Sequence, residues 1–198
     1  MNTSNDDQDL HSLLETIRNR RSIFPQSFTE VPVRRNDIEL MLASANYAPT
    51  HRLTQPWRFK VLQGKALHRL SESMAQYYLE NTDEESISEK KLLKTRQKPL
   101  QSSAVIAICM FRDPAESVPE WEEVAAVACA VQNMWLVATR LGIGGYWSTP
   151  SSKDAMTEVL GLHEAEKCLG FFYLGNHKMP RMEAKRSAWQ DKVNWLEK

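Results

Sequence analysis

Leu10, Leu13, Leu14 and Ile17 recur at i, i+3, i+4 and i+7 behind a polar tail, which predicts a first amphipathic helix ending near Arg20. Ile38, Met41, Leu42 and Ala45 repeat that spacing after the Pro32 breaker, with Asn36 and Asp37 where an N-cap is expected. The period changes at WRFKVL, residues 57–62. There Trp57, Phe59 and Val61 alternate with Arg58 and Lys60, as in a half-buried strand. Leu67, Leu70 and Met74 predict a third helix. AVIAICMF (104–111) and CLGFFYLG (168–175) are continuous apolar runs, the signature of strands covered on both faces. Between them, WEEVAAVACAVQNMWLVATRLG is apolar on nearly every side and closes at Gly142, which predicts a central helix buried on most sides. The final segment, AKRSAWQDKVNWLEK, sets Trp189, Val193 and Leu196 at helical spacing. So short a helix is unstable alone, so it must lie on its own domain or on a partner subunit.

Composition narrows the class. A chain of 198 residues with 42% hydrophobic content suits one domain with a real core. No repeat and no low-complexity linker divides it. The 25 basic and 25 acidic residues cancel, so no net field favours nucleic acid or an anionic membrane. The start, MNTSNDDQDLHS, lacks the charge and apolar run of a signal peptide, and the most apolar stretch, 124–138, is broken by Gln132 and Asn133. A cytoplasmic protein is expected. Cys109, Cys129 and Cys168 lie far apart in apolar runs, so reduced core thiols are expected rather than a zinc site or a nucleophile. From Glu80 to Lys98 the chain turns charge-rich, which reads as a solvated helix or loop, or as a cover over a site.

Three stretches carry chemistry. RNRRSI (18–23) groups guanidinium forks and a hydroxyl that suit a phosphate, although cations also favour any helix C-terminus. LGIGGYWSTPSS (141–152) offers Gly142, Gly144 and Gly145 before Tyr146 and Trp147, a turn whose backbone can approach a ligand. Its order is not that of a dinucleotide fingerprint. ANYAPTHRLTQPWRFKVL (45–62) fixes its backbone with Pro49 and Pro56 around His51, Arg52, Gln55 and Trp57, which suits a rigid rim for a flat, polar-edged ligand. The five histidines are dispersed, and no triad, paired carboxylates or metal cluster stands out. If the chain is an enzyme, a cofactor supplies the reactivity.

In their order along residues 10–198, these pieces resemble the FMN-dependent nitroreductase family: NRRS ending the first helix, APTHRLTQPWRF after the second, AVQNMWLVATRLGIGGYW, GFFYLGN and a basic tail. The resemblance implies an α+β fold with a mainly antiparallel sheet wrapped by helices, in an intertwined homodimer with FMN at the interface. It places the FMN phosphate and ribityl chain on Arg20, Arg21 and Ser22, with Lys185 and Arg186 as a late phosphate contact. It assigns Tyr47, Thr50, His51 and Gln55 to the flavin of the other subunit, and Trp147, Ser148 and Thr149 to the reactive face near N5. No residue is named catalytic, because flavin N5 carries the chemistry.

Hydride from NADH or NADPH would pass to nitroaromatic or quinone-like acceptors in ping-pong order. A non-catalytic FMN sensor or carrier, or a member performing enone reduction or reductive dehalogenation, are the alternatives. Residues 1–9 are expected as a flexible tail, and 10–198 as one FMN-binding domain with a C-terminal extension onto the partner. Leu53 and Pro150 depart from the Asn or Ser and the Gly common in the family. Pro150 offers no N–H to a flavin.

Overall fold

The computed structural model describes residues 3–181 and 184–197. Ten elements follow the chain: α1 (Thr3–Asn19), α2 (Arg35–Ala45), β1 (Trp57–Leu62), α3 (Lys65–Glu80), α4 (Glu89–Leu100), β2 (Ala104–Phe111), α5 (Glu120–Arg140), β3 (Ile143–Ser148), α6 (Thr157–Leu160) and β4 (Glu166–Asn176). The four strands form one sheet in the order β1-β2-β4-β3, with every pairing antiparallel. This is an α+β architecture.

The apolar runs become intelligible once the sheet has two covered faces. Ile106, Ile108 and Met110 of β2, with Phe172 and Leu174 of β4, face Val127, Val131 and Met134 of α5 and Met41 of α2. The alternate residues Val105, Ala107, Cys109, Phe171 and Tyr173 face Leu67, Leu70 and Met74 of α3 and Leu160 of α6. A strand buried on both sides has no polar face to show, so its period disappears.

Four sequence expectations change. The glycine stretch is not a turn but β3, and only Gly142 keeps a left-handed φ, of 73°. Paired to β4 on one side and bridged through Gly145 to Ser22 on the other, its backbone bonds are met by a ladder that glycine-rich composition does not announce. The first helix begins at Thr3, inside the segment expected as a tail, and Asp6 in its first turn favours that start. The second helix starts at Arg35, and Asp37 accepts both guanidinium bonds of Arg34 instead of capping. The tail around Trp189, Val193 and Leu196 is exposed and forms one short 3-10 turn, Gln190–Lys192, where a helix was expected.

Within one chain, several apolar surfaces lack cover. Leu10, Leu13, Leu14 and Ile17 of α1 are 56%, 54%, 40% and 45% exposed, so the stripe that predicted the helix faces outward. On α5, Val124 and Cys129 are exposed, which leaves Cys109 and Cys168 as the core thiols. The charge-rich segment closes into α4, which packs against α3 and takes a hydrogen bond from Ser71 Oγ at Arg96 O. Among the described residues, no helix is long and apolar enough to cross a membrane.

Candidate functional site

The arginine segment leaves α1 and runs along the free edge of β3. Ser22 bridges Gly145 in parallel, and Ile23 N donates to Gly145 O at 3.0 Å. From the other side, Trp135 of α5 donates its Nε1 to Arg21 O at 3.2 Å and lies under the Arg20 guanidinium, 4.4 Å from ring centre to Cζ. Gly145 makes the approach possible. A Cβ there would stand 2.6 Å from the Phe172 ring and 3.0 Å from Trp135 Nε1.

A cavity of about 600 Å³ opens beside this strip, and Arg18, Arg20, Arg21, Arg181 and Arg186 line it. Burial, then Arg186, then Arg21, hold the Arg20 guanidinium below its usual pKa. Concentrated cations that disfavour one another are stabilised by an anion placed among them. Arg186 reaches this cavity. Lys185 is exposed, does not line it, and offers its carbonyl to Arg186 Nη1 at 2.9 Å. Arg181 was not signalled by any motif, and Arg18 stood only as part of the basic cluster.

At the far end of β3, Ser148 Oγ accepts from Lys98 Nζ at 3.3 Å. Lys98 also lies 5.4 Å and 5.6 Å from the Tyr146 and Tyr173 ring centres. Burial, and then Lys94, push its ammonium pKa down. No sequence signal separated Lys98 from its charged neighbours. Thr149 and Trp147 close the strand end over Gly170 of β4. A Cβ at Gly170 would lie 2.7 Å from both Ser148 O and Trp147 Nε1, and 3.2 Å from Thr149 Oγ1, with φ at 142°.

Gly170→Ala therefore combines backbone strain with a backbone clash, and should cost about 2 to 4 kcal/mol in urea unfolding. Gly142→Ala, left-handed but facing open space, should cost only about 1 kcal/mol. Equal losses would show that the contact under Ser148 is not what demands glycine.

The proline-bounded loop is strained. Arg52, Leu53 and Gln55 have φ of 50°, 55° and 42°, left-handed conformations that side chains disfavour. Thr50 holds it by accepting from Gln55 N at 3.1 Å and pairing with the Thr54 hydroxyl at 3.2 Å. His51 Nδ1 lies 2.6 Å from Glu122 Oε2 at the start of α5. Tyr47 and Leu53 are 86% and 79% exposed, so the rim faces away from its own core. Trp57 instead turns inward and donates to Asn46 Oδ1 at 3.2 Å.

These pieces do not all meet. Arg20, Arg21 and Ser22 run along the free edge of β3 with Arg186 across the same cavity, and Trp147, Ser148 and Thr149 lie at the strand's C-terminal end. The loop sits by Glu122, while Arg20 stacks on Trp135, and at the helical rise these two positions on α5 are about 20 Å apart. Among the described residues, Arg21 Nε and Trp147 Nε1 are the buried side-chain polar atoms without a hydrogen-bond partner. Each such donor costs about 1 to 3 kcal/mol, and both belong to the β3 cluster.

The profile of the Nitroreductase family matches residues 17–176, from the end of α1 to the end of β4. The chain belongs to the nitroreductase family. Curated relatives, YdjA and YfhC among them, carry the name "Putative NAD(P)H nitroreductase". YdjA of Escherichia coli (strain K12) is 29% identical over 177 residues, covering 88% of this chain and 91% of its own length. YfhC of Bacillus subtilis (strain 168) is 32% identical over 171 residues, covering 83% and 84%. Among solved structures, a nitroreductase-like family protein from Bacillus cereus superposes with a TM-score of 0.77 at 23% identity, covering 94% of this chain and 96% of that one. A nitroreductase with bound FMN from Bacteroides fragilis NCTC 9343 gives 0.70 at 22% identity, covering 93% and 98%. The nitroreductase fold thus extends over nearly the whole chain.

Proposed function

We propose that this nitroreductase-family chain is an FMN-dependent oxidoreductase that draws on NADH or NADPH and reduces electron-poor acceptors such as nitroaromatics or quinones. One observation carries the reading: the arginine-lined cavity adjoins a glycine strand, and the two buried donors without partners, Arg21 Nε and Trp147 Nε1, belong to that same arginine segment and strand. The FMN bound by the Bacteroides fragilis relative and the names of the Escherichia coli and Bacillus subtilis relatives support it.

Arg20, Arg21 and Arg186 would hold the phosphate, with Ser22 on the ribityl chain and Lys185 outside the first contact. Trp147, Ser148 and Thr149 would meet the isoalloxazine edge, while Lys98 fixes the Ser148 hydroxyl from below. When bound, FMN would supply the redox chemistry that links NADH or NADPH to the acceptor, in ping-pong order. The chain orients and binds. The exposed stripes of α1 and α5, the loop facing away from its own core and the uncovered tail support a homodimer in which Tyr47, Thr50, His51 and Gln55 serve the partner's flavin and the C-terminal extension lies on the partner. The reading includes one domain over 10–198, placed in the cytoplasm.

Denaturing the purified protein and chromatographing the supernatant tests the cofactor, and FMN is the expected release. FAD, haem, or no chromophore after incubation with FMN would overturn the reading. Acceptor-dependent oxidation of NADH or NADPH by the yellow protein would then distinguish an enzyme from an FMN carrier.

A further inference from the structure

The second core layer holds two cysteines that the flavin site does not use. Cys109 on β2 and Cys168 on β4 are directly opposed in the antiparallel ladder, and both belong to the apolar cluster shared with α3, so their side chains leave the sheet on one face. Opposed antiparallel residues have Cα atoms about 4.5 to 5.5 Å apart. A disulfide spans about 4.4 to 6.8 Å, so the ladder already sets the required separation.

The local backbone singles this pair out further. The register shifts between Ile108 and Cys109, so Leu169 bulges out of the pairing beside Cys168. The Cys168 Sγ lies 3.6 Å from Gly170 O. The facing Cys168, together with burial, pushes the Cys109 thiol up, while the facing Cys109 pulls Cys168 down against its burial, with Gly170 and Lys153 acting in the same direction. Because the two sulfurs face each other across the ladder, one can be oxidised first and the other can then attack it, the order in which a dithiol closes. Lys153 belongs to the short 3-10 stretch Ser151–Met156, where Lys153 is half-buried and Asp154 exposed, and Met156 of the same stretch packs in the apolar cluster that holds both cysteines.

We propose that Cys109 and Cys168 form a reversible dithiol–disulfide site, oxidised by hydrogen peroxide or a small organic hydroperoxide and restored by a dithiol reductant. In the first step the Cys168 thiolate attacks the terminal peroxide oxygen, the O–O bond breaks, and hydroxide (or alkoxide) leaves, taking up as water (or alcohol) the proton that Cys168 lost on ionising. Cys168 becomes a sulfenic acid. Cys109 sulfur then attacks Cys168 sulfur, the S–S bond forms, the S–O bond breaks, and the hydroxide released takes the Cys109 proton as water. Two thiols lose two electrons in all, and one hydrogen peroxide becomes two waters. A dithiol reverses the result by exchange through a mixed disulfide. Cys129, exposed on α5, has no cysteine opposite it and stays outside this chemistry.

The test uses the full-length protein with whatever flavin it carries. Protein reduced with dithiothreitol and desalted is exposed to a few equivalents of hydrogen peroxide, quenched with catalase, denatured, alkylated and digested. The expected product is a linked peptide pair joining Cys109 to Cys168, two hydrogens lighter than the reduced peptides, with Cys129 alkylated. Dithiothreitol should restore both thiols. In Cys109→Ser, the sulfenic acid on Cys168 should persist and be captured by dimedone. Recovery of Cys109 and Cys168 both alkylated after peroxide has already oxidised methionine, or Cys168 carried on to sulfinic acid while Cys109 stays free, would overturn the proposal. The wild-type peptide map decides even if the variant does not fold.

Discussion

Arg20→Ala is expected to weaken FMN binding by about ten- to a hundredfold, because a charge-assisted hydrogen bond contributes about 1.5 to 3 kcal/mol and each 1.4 kcal/mol is tenfold. The guanidinium is partly buried among like charges, which lowers its pKa, and an anion placed among those charges would offset their repulsion. Truncation therefore removes an attraction that exists mainly in the complex. The fold should survive, since in the free protein Arg20 contributes chiefly its contact with the Trp135 ring, worth on the order of 1 kcal/mol or less. Fluorescence titration of the flavin-free protein measures the affinity, and thermal unfolding checks the fold. An unchanged dissociation constant would leave Arg20 as an ordinary cation at a helix end.

Mixing two impaired variants is expected to restore activity if the proline-bounded loop serves the neighbouring subunit. On that assignment Arg20→Ala would damage the phosphate site of its own chain, while Thr50→Ala with His51→Ala would damage only the partner's site. In a heterodimer both lesions then fall on one flavin and the other site is intact, so each heterodimer should regain about half the wild-type activity. The separation along α5 motivates the experiment: one chain keeps His51 at Glu122 and Arg20 at Trp135, at opposite parts of a long helix. If the loop serves its own chain, every heterodimer site carries one lesion and mixing restores nothing. Mass spectrometry of the mixture verifies exchange, so an inactive mixture with exchanged subunits would refute the cross-subunit assignment.

Much of the architecture was legible because burial writes itself into spacing. The strands WRFKVL and AVIAICMF have the bounds expected from alternation and from unbroken apolarity. The central helix runs Glu120–Arg140, one residue earlier at its start than the apolar pattern, and ends before Gly142. The arginine cluster could be read as a candidate phosphate grip because guanidinium geometry belongs to the residue type and needs no fold to state it. The third strand was not legible. Glycine carries no side chain to alternate, and β3 is held by partners at Ser22 and along β4 that lie far away in sequence.

What the sequence by itself determined was therefore local or periodic: which segments are amphipathic, which are buried on both faces, and which residue types could grip a phosphate. Only the tertiary structure decided proximity. It brought Arg181 and Arg186 from the end of the chain to Arg18, Arg20 and Arg21, set Lys98 against Ser148, and opposed Cys109 to Cys168 across a bulge. It also turned the apolar stripe of α1 outward, where periodicity alone would have placed it against the core. The physical reason is the same in each case. Periodicity reports that a face avoids water but not which surface covers it, and contacts between distant segments are chosen by how the whole sheet and its helices close-pack.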